Sequence, residues 1–300
     1  MGEIAALVTA IFWAFTSIFF TAAGRQVGSV IVNRVRLFLA TIFLFITHFV
    51  FFKELIPSNA GTERWIWFAL SGIIGLSLGD TFLFQTYVLI GNRLGTLLMA
   101  SAPIFATIGA WLFLGEVLNF YDILGISLCL LGISMVILER GKEQNNNKSL
   151  EKKDFIIGVL FGFASAICQA AGLILAKKGL SDNFPPLSGT VMRTLAATIT
   201  IWLITMFLGK TNQTISAVKD NPEALRNILG GVFFGPFLGV WLSLIAVQLA
   251  PVGIASTLMA LSPLILLPIA KWGFKEKVSL NAACWTLTAI CGTSIIFLLG

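Results

Sequence analysis

The sequence is a succession of apolar runs, each about as long as a membrane is thick. A helix needs about 20 predominantly apolar residues to cross the ~30 Å hydrocarbon layer. Such runs cover residues 3–23, 29–51, 65–90, 94–114, 118–138, 155–176, 187–208, 227–249, 252–272 and 279–299. Barrel strands would alternate apolar and polar residues instead, and no such alternation occurs. Only 11% of residues are charged against 57% hydrophobic, too little polar surface for a water-soluble body. The expected fold class is an all-α integral membrane protein with ten transmembrane helices.

One hydrophilic stretch divides the runs five and five. It supports a first five-helix repeat over 1–139, a polar linker over 140–154 with the run Asn145-Asn146-Asn147-Lys148-Ser149, and a second repeat over 155–300. A second polar loop, 209–226, lies between spans seven and eight. At an offset of 160, residues 75–116 align without gaps to 235–276. Gly75 falls opposite Gly235, Gly79 opposite Gly239, Pro103 opposite Pro263 and Glu116 opposite Glu276. At an offset of 157, Arg36 falls opposite Arg193, and Ala40-Thr41-Ile42 opposite Ala197-Thr198-Ile199. Five is odd, so the second repeat enters the membrane from the opposite side. The two are expected to form an inverted repeat, an architecture that recurs in secondary transporters with a midplane substrate site.

These features resemble the EamA-type ten-helix members of the drug/metabolite transporter superfamily. The resemblance rests on the early arginines of spans two and seven, the glycines of spans three and eight, and the motifs Ala100-Ser101-Ala102-Pro103 and Ala260-Leu261-Ser262-Pro263, each followed by a glutamate. It implies transport, mostly export, of amino acids, metabolites or drugs, through a cavity lined by spans one, three, four, six, eight and nine. A small amino-acid-like metabolite is the first expectation and multidrug efflux the alternative; a channel or scaffold is the rival of another class. The implied partners are a small-molecule substrate and the lipid bilayer, with protons a candidate coupling ion. The first span holds no buried carboxylate, unlike the four-helix multidrug pumps of the superfamily.

Basic residues set the expected sidedness. Arg25, Arg93, Arg140, Lys142, Lys148, Lys152, Lys153, Lys210, Lys219, Arg226, Lys275 and Lys277 share one side, while the other has Lys53, Arg64, Lys177 and Lys178. The linker is therefore expected in the cytoplasm and both termini outside. This bias accounts for the net charge of +6 without nucleic acid as a partner. Enzymatic chemistry is not expected. There is one histidine, His48, and the cysteines Cys129, Cys168, Cys284 and Cys291 have no metal-binding spacing. No ATP-binding loop occurs, and no metal or cofactor is implied.

Asp80 is the only acidic residue deep inside a span, and an ionisable group at depth is a functional candidate by default. At about 1.5 Å per residue it lies roughly 15 Å from the side where span two begins, and Arg36 roughly 10 Å from that side. The two can form a structural ion pair, and the same pair can serve proton coupling or substrate displacement. Arg193 has no symmetry-related acid, because Val240 stands opposite Asp80. It either snorkels to the interface or binds a substrate carboxylate. Further candidates for substrate contact are Trp13, Tyr87, Ser101, Gln169, Trp241 and Ser262, with Thr16, Gln85, Ser243 and Gln248 as other interior polar groups. Tyr87 shares a helical stripe with Asp80, and Trp13 falls opposite Gln169. Gly75, Gly79, Gly235 and Gly239 suit close helix packing, while Pro103 and Pro263 predict kinks.

Overall fold

A computed structural model describes residues 1–144, 152–265 and 280–299, with the side chains of residues 91–94, 136, 137, 139–144, 152, 280, 282 and 283 left out. The Asn145–Ser149 run, Lys271, Trp272, Lys275, Glu276 and Lys277 fall outside it, as does the end of the 235–276 match. Described helices are α1 (Gly2–Val27), α2 (Ser29–Phe52), α3 (Thr62–Ser71), α4 (Asp80–Met99), α5 (Ala102–Leu114), α6 (Phe120–Gln144) and α7 (Lys152–Gly179). They continue with α8 (Pro186–Phe207), α9 (Thr211–Lys219), α10 (Pro222–Val232), α11 (Val240–Leu249), α12 (Val252–Met259) and α13 (Leu280–Leu299). Among the described residues, seven helical stretches are long and apolar enough to cross a membrane, and three shorter apolar ones run Phe120–Met135, Val252–Ile265 and Cys284–Leu299. One expected loop is replaced by structure: within 209–226, α9 forms a short helix whose Thr214 hydroxyl accepts from Arg34 Nη1 at 3.0 Å.

Lipid tails are as apolar as leucine, so helices join through close packing and hydrogen bonds, which small residues permit. The contacts follow the repeat. α7 packs on the α3–α4 run and on α5, while α1 packs on the α10–α11 run and on α12. The helices α2, α5 and α6 meet α8, α12 and α13 respectively. At two of these seams, residues in equivalent positions touch each other. The hydroxyls of Thr41 and Thr198, 157 residues apart, are 2.8 Å from each other, and Cys129 Sγ donates to Ala289 O across 160 residues at 3.4 Å. Both pairs lie about one repeat length apart in the sequence.

Two irregularities are also duplicated. A π-helical segment, Gly72–Gly79, joins α3 to α4, and another, Phe233–Gly239, joins α10 to α11. Such segments are rare and concentrate at functional sites. Pro236 lies inside the second, where its missing N–H cannot complete an ordinary ladder; the first contains no proline, so the shared glycines are the common factor. The prolines expected to kink spans four and nine instead sit just beyond a break. Turns at Ala100-Ser101 and Ala260-Leu261 end the helices at Met99 and Met259, and Pro103 enters the first turn of α5. A proline ring clashes with the carbonyl four residues back. Those carbonyls belong to Met99 and Met259, the residues at which the helices stop.

The α3 side of the first π segment lies against α8 with no room for a side chain, since a methyl on Gly72 would run into the Arg193 carbonyl oxygen. Both atoms belong to backbone, so relief requires whole helices to shift. Gly72→Ala is expected to lower stability by about 1–3 kcal/mol. Gly24→Ala, whose added methyl would meet nothing closer than 3.9 Å, is expected to be neutral or slightly stabilising. Thermal unfolding of the purified variants in detergent measures both.

Candidate functional site

The first residue of α4 is Asp80, placed just where the π segment ends. Its Oδ2 accepts the Nη2 of Arg36 from α2 in an ion pair whose side chains keep 13% (Arg36) and 11% (Asp80) of their exposure. Oδ1 accepts Gln169 Nε2 from α7 at 2.7 Å. Arg36 is held from behind as well: its Nε donates to Asn33 Oδ1 at 2.8 Å, and its guanidinium carbon lies 5.6 Å from the Phe20 ring and 5.8 Å from the Phe84 ring. Ring faces attract the cation, so the charge is compensated by one carboxylate and two aromatic faces. The carboxylate thus joins the two sequence halves, with Arg36 from one and Gln169 from the other.

One stripe of α7 supports this arrangement. Ser165, Gln169 and Gly172 recur at helical spacing and so face one neighbour. Ser165 Oγ donates to Gly79 O at 2.7 Å, Gln169 Nε2 also donates to Gly75 O at 3.2 Å, and Gly172 O accepts Ser71 Oγ at 2.5 Å. Side chains of α7 therefore engage carbonyls along the π segment. The matching stripe of α1 does less. Thr16 Oγ1 reaches Gly231 O at 3.4 Å, and methyls on Gly239 and Gly235 would come within 2.7 Å of Trp13 Nε1 and Thr16 Cγ2 respectively. Trp13 thus occupies the place of Gln169 by packing rather than by bonding a charge.

Arg193 does not snorkel. It is 2% exposed on α8, and its Nε is buried without a hydrogen-bond partner among the described residues. No ion pair among the described residues includes it, although Asp80 lies within its electrostatic reach. Its helix neighbours Leu187, Ser188, Gly189, Thr190, Val191, Met192 and Thr194 are buried with it.

Tyr87 borders this centre: its ring packs on Gly95 and on Phe84, the ring that lies beside Arg36. The other candidates stand apart from it. Ser101 and Ser262 donate to Leu98 O at 2.5 Å and Met259 O at 3.0 Å, bonding the two helix breaks. Trp241 belongs to an aromatic group with Phe51 and Phe237 against α2 and α8. Gln248 bonds the Phe184 carbonyl at 2.9 Å, and His48 is satisfied by Glu54 O at 2.6 Å and Ser188 Oγ at 2.9 Å. A second charged cluster was not foreseen. Lys177 Nζ lies 2.5 Å from Glu116 Oε1 and donates to Ala250 O at 2.8 Å, while Glu116 Oε2 accepts Val252 N at 2.7 Å. In the sequence the glutamate stands out only as the residue that follows the Pro103 motif and matches Glu276, and nothing in the spacing pairs it with the distant lysine.

Membrane-length apolar helices around a buried ion pair define a multi-pass integral membrane protein. The model of the EamA-like transporter family matches residues 1–138 and again 156–298. The chain belongs to the EamA-like transporter family, and is a membrane transporter of the drug/metabolite type. A solved crystal structure of a protein 15% identical to it superposes with a TM-score of 0.79 over 99% of this chain and 96% of that one, which shows a common fold. No match was found among curated proteins.

Removing one partner of a buried pair leaves an uncompensated charge at a cost of about 3–5 kcal/mol. Arg36→Gln is expected to lose that much stability, and the double variant Arg36→Gln/Asp80→Asn to recover most of it. A double-mutant cycle on thermal midpoints is the measurement; additive losses would deny the coupling.

Proposed function

We propose that the chain is a secondary transporter that exports a small metabolite by alternating access, with Asp80 at the centre of the moving seam. The observation that carries this reading is the Asp80 carboxylate, ion-paired to Arg36 within the first half and hydrogen-bonded to Gln169 of the second. A charge shared between halves must be rearranged whenever the halves move apart, which makes it sensitive to substrate or proton. The ten expected spans form two inverted five-helix repeats, 1–139 and 155–300, around linker 140–154. The contacts Thr41–Thr198 and Cys129–Ala289 support that relation. The helix breaks before Pro103 and Pro263 fit it too, since discontinuous helices typify transporter substrate sites.

The Lys177–Glu116 pair joins the halves on the side away from the linker, together with Arg64–Asp182 at 3.1 Å. With the linker in the cytoplasm, these pairs close the outer face, and export requires them to part.

The test is release of metabolites into the medium by cells overproducing the protein, profiled by mass spectrometry. Wild type is expected to enrich a restricted set of small metabolites, and Asp80→Asn at equal membrane abundance to reduce that enrichment about tenfold or more. A medium unchanged by the wild-type protein would sink the transport reading. An undiminished Asp80→Asn would remove Asp80 from the mechanism.

A further inference from the structure

We propose that the protein holds an anionic phospholipid in a groove between α2, α8 and α9, its acyl chain lying where the two halves meet and its headgroup at Lys219. The site is separate from Asp80, and it stands or falls independently of metabolite export.

The groove is a concave stretch of apolar surface. Val35 and Phe38 of α2, Ile199 and Trp202 of α8, and Ile215 and Val218 of α9 line a hollow of about 780 Å³. That lies within the ~300–1,000 Å³ range of small-molecule pockets. Phe38, Ile199 and Ile215 keep 49%, 51% and 54% of their exposure. Two threonines line it as well, but their hydroxyls are engaged. Thr198 Oγ1 donates to Leu37 O at 3.0 Å, and Thr214 Oγ1 to Lys210 O at 2.9 Å. The hollow therefore offers a ligand little but apolar contact, and in the hydrocarbon layer the material suited to fill it is an acyl chain.

Charge selects the headgroup. Of the described residues lining the hollow, Lys219 alone is charged. It sits exposed in the last turn of α9 and forms no ion pair among the described residues, although Asp220 and Glu223 are close in sequence. A free cation at the rim of an apolar cleft matches a molecule with a phosphate at one end and a hydrocarbon chain at the other. With the linker in the cytoplasm, the loop carrying α9 lies at the cytoplasmic leaflet, where anionic lipids give the surface its negative potential.

Three of the residues lining the hollow also bridge the halves. Thr198 bonds Leu37 O, Trp202 Nε1 donates to Arg34 O at 3.2 Å, and Thr214 Oγ1 accepts Arg34 Nη1 at 3.0 Å. A chain seated against them braces α2 on α8 and α9, so the lipid stabilises the fold as a whole.

The test uses the purified full-length protein in neutral detergent, followed by native mass spectrometry and thermal unfolding. Dioleoylphosphatidylglycerol, dioleoylphosphatidylcholine and glycerol 3-phosphate are added separately. Phosphatidylglycerol is expected to stay bound at one per chain and to raise the midpoint by about 3 °C or more, and the other two to give at most about a third of that shift. Lys219→Gln is expected to weaken phosphatidylglycerol binding about fivefold, the worth of one lysine near an anionic surface. Ile199→Trp, which fills the hollow, is expected to abolish binding. Lys153→Gln, on the same side of the membrane but outside the groove, is expected to bind as wild type does. Without lipid, all three variants are expected to unfold within about 2 °C of wild type; if Ile199→Trp falls lower, Lys219→Gln decides. Equal shifts with phosphatidylcholine would reduce the groove to ordinary boundary surface, and a full shift with glycerol 3-phosphate would make it a free-phosphate site. Either result, unweakened binding in Lys219→Gln, or a second copy of the chain in place of lipid would overturn the assignment.

Discussion

The hydrocarbon layer offers no water to solvate a charge, and this one condition organises the interior. Asp80 at mid-span is tolerable because Arg36 and Gln169 take its two oxygens, and Arg36 because Asn33, Phe20 and Phe84 complete its surroundings. Those partners come from four different helices. Fixing one carboxylate therefore fixes the mutual placement of α1, α2, α4 and α7, and brings the bare-glycine face of the π segment against α7. The packing of small residues, the bonded carbonyls and the position of Arg193 follow from that seating.

The halves share a scaffold and divide its chemistry. Glycines, helix breaks and π turns recur at matched positions, while the polar interior does not. Val240 stands where Asp80 would be and is buried with Leu37, Leu76, Ala197 and Ile201 in an apolar cluster. Trp13 stands where Gln169 would be. The first π segment is thus bonded by polar side chains and the second is packed mainly by aromatic and apolar ones. Motion of similar amplitude at the two seams would break hydrogen bonds at one and slide rings at the other.

Much of this was legible in the sequence wherever a residue was costly in its setting. A lone acid at mid-span, an arginine at reach and a gapless repeat through glycine and proline led to the Asp80–Arg36 pair and to the repeated layout. Contacts that depend on how helices from different halves rotate against one another were not legible. The apolar faces that carry Trp241 read like those that carry Gln169, so Trp241 was placed with the site although it packs against α2 and α8. With Val240 opposite Asp80, the sequence left Arg193 either to snorkel to the interface or to bind a substrate carboxylate; its enclosure comes from Gly72, Gly75 and Gly172 on other elements. Glu116 could be paired with Lys177 only after the chain had folded 61 residues into contact.

The π segment has a mechanical consequence. A π turn carries one residue more than the ladder around it, and each helical residue subtends about 100°. Whether that surplus lies before or after a given point decides which way everything beyond it faces. With the surplus held at Gly72–Gly79, α4 starts at the azimuth that points Asp80 at Arg36. A sequence one residue shorter in this segment would present Thr81 or Gly79 in that direction while keeping every apolar residue in a helix. The segment acts as a phase setting for the helix, and its glycines are what let that setting be held in close contact with α7 and α8.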